Sequence, residues 1–249
     1  MAAGTGVTGP LRLRDLKSVA TGRQCYVFVH PLDASLIVKV ITPDYAWKRS
    51  RRGGYYGRWH KNFVRRHLNF VRVGPFLGFL RELREHLAVR AVSDVPIRHM
   101  QSVVGLVETD MGLGLVSRAV RTADGKLAPN LATLLKNDLF DASARRHLDE
   151  FIEWLLGSPV VICDLNPGNI VYGYTAESGQ HFVLIDGIGE KNFLPFSSLS
   201  ARLNRRSKLR RIRRLIDRIE ALQPTVSAAP RENRKGGGGL AEAGAGPGD

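Results

Sequence analysis

Residues 160–171 read VVICDLNPGNIV and place an aspartate and an asparagine five positions apart between two apolar runs. The runs 160–162 and 170–172 are rich in β-branched residues, which predicts two short strands joined by a polar loop. Carboxylate and amide oxygens in such a loop are suited to binding a metal ion, which can in turn bind phosphate. Taken singly, Asp164 and Asn169 are explained more simply as caps of turns, so their interpretation depends on the rest of the chain.

A second aspartate follows another apolar run. The run 182–185 is a predicted strand, and it leads directly into Asp186 and Gly187. One aspartate together with an asparagine can supply the hard oxygen ligands that Mg²⁺ prefers, and another aspartate can accept a proton from a hydroxyl group. The combination indicates metal–phosphate chemistry more strongly than any of its members does alone.

A lysine interrupts the apolar run 36–41, which reads LIVKVI. Burying Lys39 without a partner is costly, so the pattern calls for a carboxylate or a phosphate nearby; the alternative is an exposed position on a sheet face. Residues 81–85, RELRE, supply carboxylates on the next predicted helix. A strand lysine, a helix glutamate, Asp-x-x-x-x-Asn and then Asp-Gly are, in this order, the parts of the protein-kinase-like fold.

Hydrophobic periodicity predicts the other elements. The predicted strands are 16–20, 25–30, 36–41, 103–108 and 114–120, and the predicted helices are 78–92, 130–135, 143–156 and 205–222. Strands come first and helices later. This order predicts an α+β fold of two lobes, a small β-rich N-lobe and a helix-rich C-lobe.

The predicted organisation has four parts. They are a flexible N-terminus over 1–12, an N-lobe over 13–120 with an insert over 44–77, a C-lobe over 121–222 with the catalytic loop, and a tail over 223–249. The tail is Gly- and Ala-rich and is predicted to be disordered, because it has too little apolar surface to offset the entropy lost on ordering.

The order and spacing of these motifs resemble the protein-kinase-like superfamily, and residues 164–170 resemble the catalytic loop of its small-molecule branch, such as the aminoglycoside phosphotransferases. More closely, the chain is similar to the YrbL family of bacterial PhoP-regulatory-network proteins, over about residues 21–222. The likeness is carried by TGR at 21–23 with CY at 25–26, REL at 81–83, GLVETD at 105–110, DGK at 124–126 and DGIGE at 186–190.

The resemblance implies a nucleotide site. Lys39 would hold the α- and β-phosphates of ATP, and Glu82 would orient it, with Glu85 as the alternative to Glu82. The backbone around Gly22 and Arg23 would cover the phosphates. Gly22 is also explained as the turn residue of a hairpin.

The resemblance also implies a catalytic centre, in which Asp164 would orient or deprotonate the acceptor hydroxyl while Asn169 and Asp186 would hold Mg²⁺. The chain departs from the protein kinases in having one glycine in the phosphate loop and Ile-Cys instead of His-Arg at 162–163. It also has no long activation segment after Glu190. These departures predict a small-molecule or lipid-linked acceptor instead of a peptide.

Charge distribution suggests a further kind of partner. The chain carries a formal net charge of +14, and residues 45–75 contain nine Lys or Arg and no acid. This segment is interpreted either as a site for an anionic membrane surface or another polyanion, single-stranded nucleic acid included, or as a helix over 58–73 that packs on the N-lobe and keeps its charge solvated. The basic helix 205–222 is predicted to place its apolar residues in the C-lobe core.

Composition narrows the class and the location. A hydrophobic fraction of 43% and a charged fraction of 24% exclude a wholly disordered chain. Residues 1–8 lack a secretory signal, and Cys25 and Cys163 form no disulfide framework, which predicts a cytoplasmic protein without a disulfide-linked partner, or one peripheral to a membrane.

Three functional hypotheses follow from these residues. The leading one is an ATP- and Mg²⁺-dependent phosphotransferase. The alternatives are a nucleotide-binding regulator without transfer activity and a polyanion- or membrane-binding protein on a kinase-like scaffold.

Overall fold

The structure is a computed structural model, and it describes residues 9–22, 24–49, 73–92, 97–190 and 199–222. Within these ranges the strands are β1 Ala20–Thr21, β2 Cys25–Val29, β3 Leu36–Ile41, β4 Val103–Thr109, β5 Gly112–Arg118, β6 Ile170–Thr175 and β7 Gly179–Leu184. The α-helices are α1 Pro43–Arg49, α2 Leu77–Val92, α3 Leu131–Lys136, α4 Ala142–Gly157 and α5 Ala201–Leu222. The predicted tail, the phosphate-loop residue Arg23 and nearly all of the predicted helix over 58–73 lie outside the described residues.

The N-lobe is built on an antiparallel sheet with the strand order β1-β2-β3-β5-β4. Strand β3 is central and almost wholly buried, as its continuous apolar run requires. Its residue Lys39 is paired with Val27 on β2 and with Leu115 on β5. The lysine is thereby held in the middle of the sheet, between two hydrogen-bonded neighbours.

The C-lobe core forms where α4 and α5 pack with the β6–β7 hairpin. Its fully buried side chains include Phe151 and Leu155 of α4, Phe182 of β7 and Leu215 of α5. Helix α4 begins where the Asp141 carboxylate accepts a hydrogen bond from the Ala144 amide at 2.7 Å, which satisfies one of the free N–H groups of the first turn. The antiparallel sheet followed by a helical lobe confirms the predicted α+β fold class with a β-rich N-lobe and a helix-rich C-lobe.

Helix α2 is confirmed, although the apolar residues whose spacing predicts it are not all buried. Leu80 and Leu87 are 40% and 59% exposed, whereas Phe79, Glu85 and His86 are buried. Hydrophobic spacing does not identify the buried face of α2, because the side of the helix that faces the rest of the protein carries the polar residues Glu85 and His86.

Two predicted strands are wrong. The strand predicted over 16–20 is reduced to the two residues of β1, Ala20–Thr21. The strand predicted over 160–162 is no strand; only Ile162 forms an isolated bridge, with Ile188. The β-branched residues of 160–162 are buried, as a strand's would be, but their backbone groups bond mainly to side chains, as described below.

Helix α5 is confirmed and starts at Ala201, before the predicted residue 205. Its residues Ile212, Leu215 and Ile219 lie in the C-lobe core, as predicted, whereas Leu209 is exposed. No helix within the described ranges is long and apolar enough to cross a membrane.

His99 is expected to make the C-lobe sensitive to acid. Its ring is buried against Phe151 and Trp154, and Nδ1 lies 2.7 Å from the carbonyl oxygen of Phe182. Burial lowers the pKa of His99 from 6.5 to about 4. Between these values the unfolded chain binds a proton that the folded protein excludes, so the free energy of unfolding falls with decreasing pH, by up to about 3 kcal/mol.

Urea unfolding at pH 7.0, 5.5 and 4.5 checks this expectation. His99→Gln keeps a side-chain N–H donor for the Phe182 carbonyl and should flatten the pH dependence, whereas His30→Gln in the N-lobe should leave it unchanged. Identical pH dependence in the wild type and His99→Gln would contradict the assignment.

Candidate active site

The candidate site is built around Lys39, which is 7% exposed, so the alternative of an exposed sheet face is wrong for this residue. Its Nζ donates to Oε2 and Oε1 of Glu82, at 3.0 and 3.3 Å, and to the carbonyl oxygen of Ile185 at 2.8 Å. The three contacts bring together β3, α2 and the end of the C-lobe strand β7. Since Ile185 directly precedes Asp186, the lysine is anchored beside the predicted metal ligand.

The charges around Lys39 keep it protonated. Burial alone would lower the pKa of the ammonium group, but the carboxylates of Glu82 and Asp186 outweigh it and raise the pKa above its ordinary value. An ammonium group that stays charged, and that Glu82 and the carbonyl oxygen of Ile185 hold in position, can neutralise an anion that enters the site.

Cys25 borders the same group of charges, which the sequence analysis did not anticipate. Burial raises the pKa of the Cys25 thiol to about 12; Lys39 opposes the rise, and the carboxylates of Glu82 and Asp186 add to it. The thiol is therefore neutral and unreactive at physiological pH. Its position on β2 was predicted, but the pairing of β2 with β3, which brings Cys25 beside the lysine, is a tertiary fact that a local motif does not reveal.

The loop that contains Asp164 and Asn169 is tied to the segment that follows Asp186. The backbone amides of Cys163 and Asp164 both donate to the carbonyl oxygen of Gly187, at 2.7 and 3.1 Å. The amide of Ile185 donates to the carbonyl oxygen of Asn169 at 2.9 Å. The two motifs that lie far apart in sequence are thereby held side by side.

Gly187 permits this close approach. Its φ is +78°, and a Cβ added there would lie 2.0 Å from the carbonyl oxygen of Asp164. Only glycine combines this conformation with the space available, so the Asp-Gly motif has a steric reason in addition to any chemical one.

Turn capping explains the contacts of some polar side chains in these two motifs but not of others. Asp186 Oδ1 accepts from the Gly187 amide at 2.6 Å, and Asn166 Oδ1 accepts from the Gly168 amide at 2.9 Å, which are both turn contacts. Asp164 is exposed, and within the described residues its carboxylate caps no turn. Turn capping therefore accounts for contacts of Asp186 and Asn166, but this simpler interpretation does not account for Asp164, whose carboxylate faces solvent, where it can contact a substrate.

The donor set suits Mg²⁺ only if other ligands complete it. Among the described residues no three His, Cys, Asp or Glu side chains lie close enough to hold a metal ion. Asn169 uses Nδ2 to donate to the carbonyl oxygen of Asp164 at 3.3 Å, which leaves its Oδ1 available as a ligand. One amide oxygen and the Asp186 carboxylate fit an ion that keeps several waters and takes its remaining ligands from phosphates.

Two of the predicted site residues are not joined to this group. Glu85 does not contact Lys39; its Oε1 accepts from the amide of Val161 at 2.7 Å, so Glu82 is the partner of Lys39. Gly22 donates its amide to the carbonyl oxygen of Cys25 at 2.9 Å, which is the contact of a tight turn. Phosphate binding by Gly22 and Arg23 remains a prediction.

A comparison with known families identifies the chain. Residues 11–220 match the family described as PhoP regulatory network protein YrbL. The chain belongs to the YrbL family. The match begins before residue 21, where the recognisable likeness was predicted to start, and it covers both lobes. No curated protein matches the chain.

Solved structures similar to this YrbL-family chain include kinase domains. The kinase domain of Mycobacterium tuberculosis PknI, in a double-mutant form, is 19% identical, with a TM-score of 0.46 over 91% of this chain and 79% of that one. The apo form of PpkA-294 is 16% identical, with a TM-score of 0.42 over 84% of this chain and 63% of that one.

Proposed function

We propose that the protein is an ATP- and Mg²⁺-dependent phosphotransferase that acts on a small-molecule or lipid-linked acceptor. The observation that carries the proposal is the buried ammonium group of Lys39, bonded at once to Glu82 and to the carbonyl oxygen before Asp186. A buried, charged lysine that is bonded to a glutamate and also lies near the Asp186 carboxylate is an arrangement for neutralising phosphate, and a merely structural ion pair does not need the further contact with the segment before Asp186.

In this proposal the protein contributes mostly positioning and charge. Lys39 neutralises the phosphates of ATP, and Glu82 fixes the direction in which its ammonium group points. Asn169 and Asp186 would hold Mg²⁺, which would supply positive charge to neutralise the phosphates when bound. Asp164 accepts a hydrogen bond or the proton from the acceptor hydroxyl, because its carboxylate is exposed beside these groups.

The length of chain after Asp186 supports a small acceptor. Only residues 187–200 separate Asp186 from the start of α5 at Ala201. This leaves little chain for a surface on which an extended peptide could dock. A sugar, an aminoglycoside or a lipid-linked glycan needs no such surface.

A thermal-shift measurement with and without Mg²⁺ tests the proposed site. ATP with Mg²⁺ is expected to raise the Tm of the wild type, because a ligand that binds the folded state stabilises it in proportion to the logarithm of its concentration over Kd. Asp186→Ala should remove most of the Mg²⁺-dependent part, whereas Asp149→Ala, a change of an exposed carboxylate on α4, should remove none. A wild type that shows no response at millimolar ATP would rule out the nucleotide site.

We propose as a second function that α5 binds a phosphate-rich polyanion. Five arginines follow one another at intervals of four residues along the helix, and all of them are exposed: Arg202, Arg206, Arg210, Arg214 and Arg218. Within the described residues none of them forms an ion pair. Like charges at this spacing repel one another by about 0.2–0.5 kcal/mol per pair, so the row is unfavourable until an anion neutralises it.

The geometry of α5 favours a linear polymer such as duplex nucleic acid over a membrane. The row spans about 24 Å, at about 1.5 Å per residue. The apolar side of α5 is already buried in the C-lobe, so the helix has no continuous apolar face to insert among lipids. The charged segment 45–75 remains a separate prediction, since most of it lies outside the described residues.

Replacing Arg202, Arg206, Arg210 and Arg214 by Gln is expected to weaken binding to duplex DNA and to reduce the slope of log K against log salt by about 3–4, because fewer counterions are released. The control replaces Lys17, Arg84, Arg90 and Lys126 by Gln and lowers the net charge equally. Equal slopes for the two variants would show that only net charge matters. Stronger binding to anionic vesicles than to DNA would favour a membrane partner.

A further inference from the structure

Glu85 is a buried carboxylate on α2 that does not pair with Lys39. It lies one turn after Glu82 and is 7% exposed, yet it points to the C-lobe, where Oε1 accepts from the amide of Val161 at 2.7 Å. Val161 belongs to the irregular segment that leads to Asp164. Helix α2 therefore contacts Lys39 through the carboxylate of Glu82, and it contacts the segment that leads to Asp164 through the carboxylate of Glu85.

Helix α5 also forms hydrogen bonds with the segment that leads to Asp164, on the side away from Glu85. Lys208, which is 1% exposed, donates through Nζ to the carbonyl oxygens of Leu155 and Ser158, both at 2.6 Å. Asn204 donates to the carbonyl oxygens of residues 159 and 160, at 3.0 and 3.2 Å, and Arg211 donates to that of residue 163. These donors recur every three or four residues along one face of α5, and they satisfy carbonyl groups between residues 155 and 163.

The two buried charges on either side of the segment act on each other. Burial raises the pKa of Glu85, while its hydrogen bond from the Val161 amide and the Lys208 charge oppose the rise. Burial lowers the pKa of Lys208 to about 8, and Glu85 opposes that fall. Removing either charge would leave the other buried without its counter-charge, which is a larger disturbance than the loss of one hydrogen bond.

We propose that Glu85 and Lys208 are positioning residues that clamp residues 158–163 between α2 and α5 and so set the place of Asp164 relative to the Lys39–Glu82 pair. The clamp itself rests on contacts within the chain. Its consequence for catalysis rests on the proposed phosphotransferase function: an anion drawn to Lys39 orders α2 through Glu82, the partner of Lys39, and α2 orders the segment before Asp164 through Glu85.

Amide hydrogen exchange on the full chain tests the clamp without any ligand. Glu85→Ala removes the acceptor of the Val161 amide and should speed exchange at Val161 by about 10-fold or more. The amides of the β6–β7 hairpin should be unchanged. Arg84→Ala, an exposed neighbour on α2, should match the wild type, and Glu85→Gln, which keeps an acceptor oxygen but loses the charge, should restore part of the protection.

Two results would overturn the clamp. One is equal exchange at Val161 in Glu85→Ala and Arg84→Ala; the other is faster exchange everywhere, which would mark a merely structural residue. If Glu85→Ala does not fold, the clamp is tested with three other variants, which are Glu85→Gln, Lys208→Gln and the double variant that combines these two changes. The double variant should exchange no faster at Val161 than the worse single variant, because the charges are coupled, and additive effects would contradict the proposal.

Exchange in the presence of ATP and Mg²⁺ tests the consequence for the site. In the wild type the ligand should slow exchange over 161–164; in Glu85→Ala this effect should disappear while the Kd for ATP stays within about 3-fold, because the Lys39–Glu82 pair is intact. Persistent slowing in Glu85→Ala would refute the coupling. Absence of any nucleotide effect in the wild type would refute the proposed function, and the ligand-free exchange would still decide the clamp.

Discussion

Lys39→Met is expected to weaken ATP binding by about 10–100-fold, because the variant loses hydrogen bonds from a charged donor to phosphate. The same variant should unfold more easily by about 3–5 kcal/mol, since Glu82 remains buried without its partner. Both side chains are nearly inaccessible, at 9% and 11%, so solvent screens this loss little. Calorimetric titration with ATP and urea unfolding of the ligand-free protein measure the two effects separately.

A double variant separates the two effects of Lys39. Lys39→Met with Glu82→Leu removes both charges and fills the space with apolar groups, which is often neutral or stabilising for a buried ion pair. Stability should return towards that of the wild type, while ATP binding should stay as weak as in Lys39→Met. A double variant that binds ATP like the wild type would show that the pair is only structural.

The sequence predicted the parts of the site whose signal is local. The charged residue in the run LIVKVI and the aspartates that follow apolar runs were recognisable because strands and polar loops have short-range patterns. The order of those parts indicated the fold class. The structure places Lys39 against Glu82 and holds the Asp164 loop against Gly187.

The choice between Glu82 and Glu85 lies beyond such patterns. The two residues are three positions apart on one helix and therefore on the same side of it. Glu82 reaches β3 and Glu85 reaches Val161, a difference set by how α2 sits against the two lobes. The resemblance to the YrbL family named Glu82 first, and nothing local in the sequence gives a role to Glu85.

Lys208 shows the same limit in the C-lobe. A lysine in a helix with many arginines is expected at the solvated surface, as its neighbour Arg210 is. It is buried because its ammonium group caps the end of α4, where the carbonyl of Leu155 has lost its helical partner. The residues it joins lie about fifty positions away, so no window of sequence contains the reason for its burial.

Asp164→Asn is expected to lower turnover by about 10²–10⁴ while leaving the affinity for ATP within a few-fold. The carboxylate is exposed and is not among the groups that hold Lys39, so its loss should spare the nucleotide. The amide keeps the size of the side chain but cannot take a proton. The measurement is ATP turnover with candidate sugars, aminoglycosides and lipid-linked glycans as acceptors.

The control for Asp164 is the neighbouring turn residue Asn166, whose side chain accepts from the amide of Gly168. Asn166→Asp keeps that acceptor, so it should leave turnover close to the wild type, whereas a site that merely needs an intact loop would respond alike to both variants. Equal turnover by the wild type and Asp164→Asn with every stimulating acceptor would contradict an acid–base role. ATP binding without transfer to any acceptor would instead favour the regulatory alternative, in which Lys39, Asn169 and Asp186 bind the nucleotide and Asp164 has no proton to accept.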